Sequence, residues 1–557
     1  MLIAVIGVLL GMGWHSASAP AQAYPAEPLV PASPARAFGD SVGVGVRLNW
    51  TDTAYADFDT IESRLLELGV RHVTDGLCPT CEEQIRRIRA LAAHGVTHAL
   101  GVSELTQGTA SMQLGLNVVR DRLGGAVDMI EGPNETDISG DPNWIADTRA
   151  YQAELYWRVK SDPALASLPV VGPTVVNRDS HALLGDLTTS LDFGNFHPYP
   201  GGDLPLGNLD DEKQLAAPMS GTKPLVATEV GYHTYMAEPT PHRPVSEQVA
   251  AIYTPRLLLE GFRGGVARTY LFQLVDPWSQ AQMQQKGLPG RENAFGLLRT
   301  NLSRKPAFIT VRNLLRTVDS ASAPVASPGG LRYGLEGTTP DLRQLLLRSA
   351  DGSFRLVLWR QVSVWDRWAL KDLSPAPQHV EVVLGEPVAL AQRFDPVISD
   401  GETGRVANPT RIPVDLAGAP VVLRLIPPDA PGAPQGDGEP SGKPKLDASR
   451  TKRRQRLGRV VVIKVACRAP CATVSGRGKL VVARKGARRA RSFPLRPRRA
   501  RVKRGHATLR LPVPARARRV AARALRRGRR VRAKVTVTGH TRGGARVSVA
   551  KRKVALS

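Results

Sequence analysis

Two short stretches place carboxylates where apolar runs end. IEGPNET, at 130–136, follows the run GGAVDM and brings Glu131, Asn134 and Glu135 within five residues of one another. VATEVGY, at 226–232, places Glu229 after three small or apolar residues. A carboxylate is costly near a core unless it is paired or used. One protonated and one ionised carboxyl group could act together as a general acid and a nucleophile.

Between residues 38 and 318, short apolar or β-branched runs alternate with amphipathic stretches. The predicted strands are 41–50, 71–76, 97–104, 127–135, 169–177, 192–200, 224–232 and 268–276. Eight β–α units of this size predict an α/β fold, a (β/α)8 TIM barrel over 38–318. A doubly wound open sheet is the competing arrangement, but no Gly-rich phosphate loop follows the first run.

In a barrel, the side chains at the C-terminal ends of the strands meet at one mouth. Strand two ends in Asp75, strand six carries His197 and Tyr199 in HPYP, and strands four and seven end near Glu135 and Glu229. The two glutamates are therefore expected to face each other. Two carboxyl groups that flank a sugar bond are what glycoside hydrolysis requires.

These motifs, in the order Asn-Glu, His-x-Tyr and Thr-Glu on strands four, six and seven, resemble those of clan A glycoside hydrolases, with a likeness to families 39 and 5. The resemblance covers 38–318. It implies that Glu135 is the general acid/base and Glu229 the nucleophile of a retaining enzyme. It further implies that Asn134 binds the sugar 2-hydroxyl, that Tyr199 touches the nucleophile and that His197 lines the site.

The chain departs from the clan pattern at two points. Pro133 stands where many members have Trp, and the aromatic residue that floors the sugar site is not obvious, with Phe272 favoured over Trp278. Asp75 is a further predicted substrate-binding residue, and Glu131 is expected to be structural. Two alternatives stay open: strand-end carboxylates that only pair with rim arginines, and a barrel that binds carbohydrate without cleaving it. No metal or cofactor is predicted.

The four cysteines fall in two close pairs. Cys78 and Cys81, followed by two histidines, match the spacing of a zinc finger, but the second histidine falls at the start of strand three. A disulfide, or two thiols, in the loop after strand two is the favoured interpretation. Cys467 and Cys471 suggest a second local disulfide.

Charged residues are unevenly distributed along the chain. Residues 451–557 hold 36 of the 76 Lys and Arg residues and no Asp or Glu, whereas the first 450 residues have a net charge of −9. Short alternating runs predict a small antiparallel β-sandwich at 319–427, a Pro/Gly-rich linker at 428–449 and a basic all-β domain at 450–557. An anionic cell-envelope polymer is the favoured partner of the basic domain, ahead of a generic solvated surface. Specific nucleic-acid binding is disfavoured because the domain has one aromatic residue, Phe493.

The N-terminal segment predicts export. An apolar run from Leu2 to Met12 is followed by small residues, which favours a signal peptide over 1–23 with cleavage after Ala23. An uncleaved anchor is the alternative. No other stretch approaches transmembrane length, so the protein is expected to be secreted, with possible retention at the cell surface, and to act on carbohydrate.

Overall fold

The computed structural model describes residues 27–205, 207, 209–237, 242–431, 454–466, 473–483, 490–502, 506–540 and 546–557. The predicted signal peptide, most of the predicted linker, and Cys467 and Cys471 lie outside these residues. No helix within the described ranges is long and apolar enough to cross a membrane.

Eight parallel strands form the predicted barrel. In chain order they are β1 Val42–Gly45, β2 His72–Gly76, β3 Thr97–Gly101, β4 Val127–Glu131, β5 Val170–Val171, β6 Gly194–Asn195, β7 Leu225–Val230 and β8 Arg268–Leu271. Their order in the sheet is β5-β4-β3-β2-β1-β8-β7-β6. A parallel bridge between Val171 and Phe193 joins the two edges and closes the ring. The (β/α)8 prediction is confirmed, and the doubly wound alternative is wrong.

Helices surround the barrel and bury one face against it. The main ones are α1 Phe58–Leu68, α2 Glu82–Ala93, α3 Gly108–Val118, α4 Trp144–Ser161, α5 Ser180–Leu184, α6 Leu209–Ser220, α7 Glu247–Arg263 and α8 Pro306–Thr317. Shorter helices span Ala35–Asp40 and Gln280–Gln285. Helix α1 shows why the sequence folds this way, since its buried residues Phe58, Ile61, Leu65 and Leu68 recur at helical spacing.

Inside the barrel, a small apolar cluster supports the polar residues at the mouth. It contains Ala99, Met129, Val171, Val226 and Tyr270. The Tyr270 ring needs a glycine on the neighbouring strand, because a Cβ added to Gly43 would lie 2.3 Å from Cδ1 of that ring. The packed interior therefore fixes the strands from below and leaves the C-terminal mouth for chemistry.

Strand β4 ends four residues before Glu135. Gly132 donates its backbone N–H to Val171 O at 3.0 Å, and Thr174 donates to Pro133 O at 3.1 Å. Pro133 has no N–H to offer a ladder, so regular pairing stops at Glu131. The prediction that the strand itself runs to Glu135 is wrong, and Glu135 lies on the loop that follows. Glu229, in contrast, lies within β7.

The β-sandwich that follows the barrel has two sheets. One contains Leu29–Pro31, Gly330–Glu336, Gln378–Leu384 and Arg411–Leu416; the other contains Ser33–Pro34, Leu342–Arg348, Phe354–Arg360, Val421–Ile426, Leu390–Phe394 and Glu402–Ala407. A two-stranded hairpin, Trp365–Asp366 with Lys371–Asp372, extends from it. Two of the sandwich strands thus come from the segment before the barrel, in addition to the predicted 319–427.

Barrel and sandwich pack through a buried polar contact. Trp359, which is fully buried, donates its indole N–H to Glu260 Oε1 of α7 at 2.8 Å. Nearby, Arg256 donates to the backbone carbonyl of Val362 at 3.0 Å. A buried carboxylate is tolerated only when it is hydrogen-bonded, so these contacts fix the position of the sandwich against the barrel.

The basic C-terminal domain contains a five-stranded and a two-stranded sheet. The larger sheet consists of Arg454–Gln455, Arg546–Leu556, Val531–His540, Thr473–Val482 and Arg491–Arg501, and the smaller one of Val460–Ala466 and His506–Pro512. A helix, Ala515–Arg526, packs with both sheets around a separate apolar core. The all-β prediction is confirmed, with this one helix added.

The buried side chain of His98 should make the stability of the fold sensitive to acid. His98 is fully buried on β3, and burial lowers its pKa to about 4 from 6.5. Below pH 6.5 the His98 imidazole is protonated in the unfolded chain but stays neutral in the folded chain. The free energy of unfolding should therefore fall by up to about 3 kcal/mol between pH 6.5 and pH 4. The midpoint of urea unfolding should fall less between pH 7 and pH 4.5 in the His98→Leu variant than in the wild-type chain.

The matched control is His94→Leu, because the His94 side chain is 51% exposed. This variant should keep the pH dependence of the wild-type chain. Equal pH dependence in the wild type and the His98→Leu variant would contradict the prediction.

Candidate active site

Glu135 and Glu229 meet at the mouth of the barrel. A carboxylate oxygen of each, together with a ring nitrogen of His197, lies within 4.8 Å of the others. The side chains of Glu135 and Glu229 are 26% and 17% exposed, so both can reach a ligand from solvent. The structure therefore brings together the two carboxylates that the sequence places 94 residues apart.

The loop after β4 holds Glu135 in an uncommon backbone conformation. Its φ and ψ are both 47°, in the left-handed region that residues other than glycine rarely adopt. The backbone N–H donates to Thr174 Oγ1 at 2.9 Å, and the Thr174 hydroxyl donates to Asn134 Oδ1 at 3.2 Å. Such strain persists where surrounding contacts over-determine it, most often at functional sites. The buried threonine thus fixes both residues of the Asn-Glu pair.

His197 links Glu135 to the floor of the site. Its Nδ1 lies 2.9 Å from Glu135 Oε1, and its Nε2 lies 3.0 Å from Thr228 Oγ1. The Thr228 hydroxyl donates to Asn195 Oδ1 at 3.1 Å, so its oxygen is left to accept the Nε2 proton. The other ring nitrogen, Nδ1, faces Glu135 Oε1. One further proton can reside on either of these two atoms.

The charge around His197 favours its protonated form. Burial lowers its pKa, but the carboxylates of Glu229 and Glu135 outweigh burial and raise it above the usual value. The imidazole is therefore a proton store beside Glu135.

Glu229 is held between a hydroxyl and a cation. Tyr199 donates its O–H to Glu229 Oε2 at 3.0 Å, and Arg47 Nη2 lies 3.6 Å from Oε1. Burial, followed by the nearby Glu229 and Glu135, raises the pKa of Tyr199 well above 10, so the phenol keeps its proton. The Glu229 carboxylate is thereby oriented, with its negative charge compensated.

Aromatic rings line the mouth on two sides. The Tyr199 ring lies 5.5 Å from Phe295 and 6.3 Å from Phe272, in edge-to-face contact. Phe272 follows β8 and forms a cis peptide bond with the next residue. Trp278 stacks on Trp50, with ring centroids 4.7 Å apart. Of the two predicted aromatics, Phe272 belongs to the cluster around Tyr199, whereas Trp278 packs on the loop after β1.

Two other carboxylates near the barrel axis contact protein groups. Asp75 is buried; its Oδ2 accepts from the backbone N–H of Leu48 and from Gln84, each at 3.0 Å. Burial raises its pKa to about 6, against the lowering effect of Arg47. Glu131 accepts from the Thr74 hydroxyl at 3.0 Å. A structural role for Glu131 and a substrate-binding role for Asp75 both stay predictions.

Sequence reasoning missed several residues of the site: Arg47, Trp50, Thr174 and Thr228. Arg47 and Trp50 lay inside the first predicted strand, but β1 ends at Gly45, and both residues lie on the loop at the mouth. The guanidinium carbon of Arg47 lies 5.5 Å from the centre of the Phe272 ring. The available signal was the position of Arg47 and Trp50 directly after an apolar run, which is where residues of the barrel mouth are expected.

The donor set Glu135, His197 and Glu229 is also one that a divalent cation could use. Both ring nitrogens of His197, however, already face hydrogen-bond partners, one of which is Glu135 itself. The 2.9 Å distance between His197 Nδ1 and Glu135 Oε1 is that of a hydrogen bond. The structure thus shows these two groups as a hydrogen-bonded pair.

The Cys78–Cys81 pair lies in the loop between β2 and α2. The two cysteines form a disulfide with their Cα atoms 5.3 Å apart. His98 is buried on β3, and His94, at the end of α2, lies 3.7 Å from Glu62. With both sulfur atoms bonded to each other, the two cysteines offer no thiolate to a metal.

No model of a known protein family matches the chain, and no curated protein matches it. Solved structures with a similar fold include a GH39 enzyme from Xanthomonas axonopodis pv. citri, at 16% identity and a TM-score of 0.48, covering 71% of this chain and 96% of that one. A monomeric beta-xylosidase from Caulobacter crescentus CB15 has 15% identity and a TM-score of 0.49, with coverage of 71% and 98%. A glucosidase from Croceicoccus marinus has 13% identity and a TM-score of 0.46, with coverage of 66% and 91%.

Proposed function

We propose that this protein is a retaining glycoside hydrolase that cleaves O-glycosidic bonds of an oligo- or polysaccharide by double displacement. The observation that carries the proposal is the separation of Glu135 and Glu229, whose carboxylate oxygens approach within 4.8 Å. Retaining enzymes hold their two carboxyl groups about 5–5.5 Å apart, whereas inverting enzymes need about 6.5–9.5 Å to admit a water molecule.

In the first step, a Glu229 oxygen bonds to the anomeric carbon while the bond to the leaving oxygen breaks. Glu135 gives its proton to that oxygen and is left as a carboxylate, hydrogen-bonded to His197. Tyr199 and Arg47 hold the attacking carboxylate in place from opposite sides. In the second step, Glu135 takes a proton from water, the water oxygen bonds to the anomeric carbon, and Glu229 departs.

A screen of aryl glycosides and polysaccharides, followed by NMR of the first anomer released, tests the proposal. The expected result is hydrolysis of at least one substrate with retained configuration. Release of the inverted anomer would overturn the mechanism. Binding of a sugar without turnover of any substrate would instead favour the alternative, a carbohydrate-binding protein without catalysis.

We further propose that the protein acts outside the cytoplasm. The Cys78–Cys81 disulfide supports this, because disulfides persist in oxidising compartments and are rare in the cytosol. Fractionation of cells that produce the chain, with thiol labelling of each fraction, should find the protein outside the cytoplasm and its Cys78–Cys81 bond intact. A reduced, cytoplasmic protein would contradict this proposal and leave the catalytic one untouched.

Tyr199→Phe should lower kcat/KM by about tenfold to a hundredfold. The variant keeps the ring and its contacts but removes the hydrogen bond to the Glu229 carboxylate. Hydrogen bonds to charged groups contribute about 1.5–3 kcal/mol. Steady-state kinetics on the best aryl glycoside checks this.

Tyr151→Phe is the matched control, because its hydroxyl donates at 2.8 Å to a backbone carbonyl, that of Ser103, instead of a site carboxylate. This variant should retain kcat/KM within about twofold, as substitutions away from the reacting groups usually do. Equal losses in the two variants would show that the Tyr199 hydroxyl has no special role.

A further inference from the structure

A groove crosses the open face of the five-stranded sheet in the C-terminal domain. It has a volume of about 1160 Å³. Five basic side chains line it, namely Arg477, Lys479, Arg532, Lys534 and Lys553. The groove therefore concentrates cations on one concave surface.

Three of the lysines form a row across adjacent strands. Lys479 is paired with Lys534, and Lys534 is paired with Lys553, each directly opposite the other. Directly paired residues on neighbouring strands lie about 5 Å apart. Like charges in this position are destabilising, so the row is costly to the domain by itself and calls for a compensating anion.

Within the described part of the C-terminal domain, no Asp or Glu side chain compensates this row. Residues 451–557 contain no Asp or Glu. Among the described residues, the ion pairs of the protein all involve cations of the barrel and the sandwich. The five groove cations are therefore free of carboxylate partners within the described ranges.

The alternation of the strands separates the groove from the core. Val474, Leu480, Ala533 and Val537 point into the apolar core that includes the helix Ala515–Arg526. Residues that alternate with them along the strands face the opposite side of the sheet. The cations are thus on the face that the helix does not cover.

The other lining residues indicate what kind of polyanion fits. Pro494, Pro497 and Ala555 are among them, and no aromatic residue is. Single-stranded nucleic acids are bound through aromatic stacking platforms, which this groove lacks. The row of cations, spaced by the distance between neighbouring strands, instead suits a polymer that carries a negative charge on each repeating unit.

We propose that this groove binds an acidic polysaccharide and so attaches the enzyme to an anionic polymer of the cell envelope. The interaction with the polysaccharide is electrostatic. It is made by the row of Lys479, Lys534 and Lys553, with Arg477 and Arg532 beside it. It involves no residue of the barrel, and so it does not depend on the catalytic proposal.

The test uses the full chain and polygalacturonate as the probe, with neutral dextran for comparison. The groove variant K479Q/K534Q/K553Q should bind polygalacturonate at least about tenfold more weakly, with a shallower dependence on salt concentration. The control R516Q/R519Q/R523Q removes three exposed cations from the helix on the opposite face, and it should change the affinity less than about twofold. Circular dichroism verifies folding, and K534E alone provides a second variant at the centre of the row.

Three results would overturn the proposal. Equal losses in the groove and helix variants would mean that net charge alone, and no built site, attracts the polymer. Tighter binding of duplex DNA than of polygalacturonate, with the same dependence on the three lysines, would mean that the groove is a nucleic-acid surface. Wild-type binding to neutral dextran at equal strength would exclude an electrostatic site.

Discussion

Replacing Glu229 with glutamine is expected to lower kcat by at least about 10⁴-fold on every substrate, since loss of a nucleophile costs that much or more. The amide is nearly isosteric but cannot displace a leaving group. Tyr199 and Arg47 would still surround the side chain, so the site should keep its shape. The measurement is the rate of the first turnover with a dinitrophenyl glycoside, whose leaving group needs no proton.

Glu131→Gln is the matched control, because it makes the same change in a barrel carboxylate that accepts a hydrogen bond from Thr74. Its loss should be smaller by at least about two orders of magnitude, in keeping with the loss of one hydrogen bond. Near-normal turnover by the Glu229→Gln variant would refute the nucleophile assignment, whatever the fold.

The barrel and its two glutamates could be predicted because local patterns determine them. Eight apolar runs of strand length, separated by amphipathic stretches, allow few arrangements. Glu229 follows small residues within a buried strand, and so its place at the mouth follows from the register of β7. Periodicity and strand-end position are properties of short segments, and a single sequence displays them directly.

Features that depend on distant partners could not be predicted. Leu29–Pro31 is a strand only because it pairs with Gly330–Arg332, some 300 residues further along the chain. The left-handed backbone of Glu135 depends on a hydrogen bond to Thr174, which lies on another loop. Arg47 approaches Glu229 because β1 ends early. In each case the determining contact is tertiary, and no local pattern encodes it.

Glu135→Ala should separate the two steps of the reaction. With substrates whose leaving group needs a proton, kcat/KM should fall by about 10²–10⁴-fold, the usual contribution of general acid catalysis. With a dinitrophenyl glycoside, kcat/KM should fall less than about tenfold, because the first step needs no acid. The glycosyl-enzyme should then accumulate, since no base remains to activate water. A burst of dinitrophenol followed by a slow steady state would report this.

Azide identifies which carboxylate has been removed. In the Glu135→Ala variant, azide can enter the space left by the acid/base and attack the glycosyl-enzyme, so it should restore turnover and give a glycosyl azide of retained configuration. Glu229→Ala is the matched control, because azide would there replace the nucleophile and give the inverted azide from the same substrate. In the proposed mechanism the two carboxyl groups flank the anomeric carbon, so each cavity would lie on its own side of that carbon. A glycosyl azide of retained configuration from the Glu229→Ala variant, or one of inverted configuration from the Glu135→Ala variant, would reverse the two assignments.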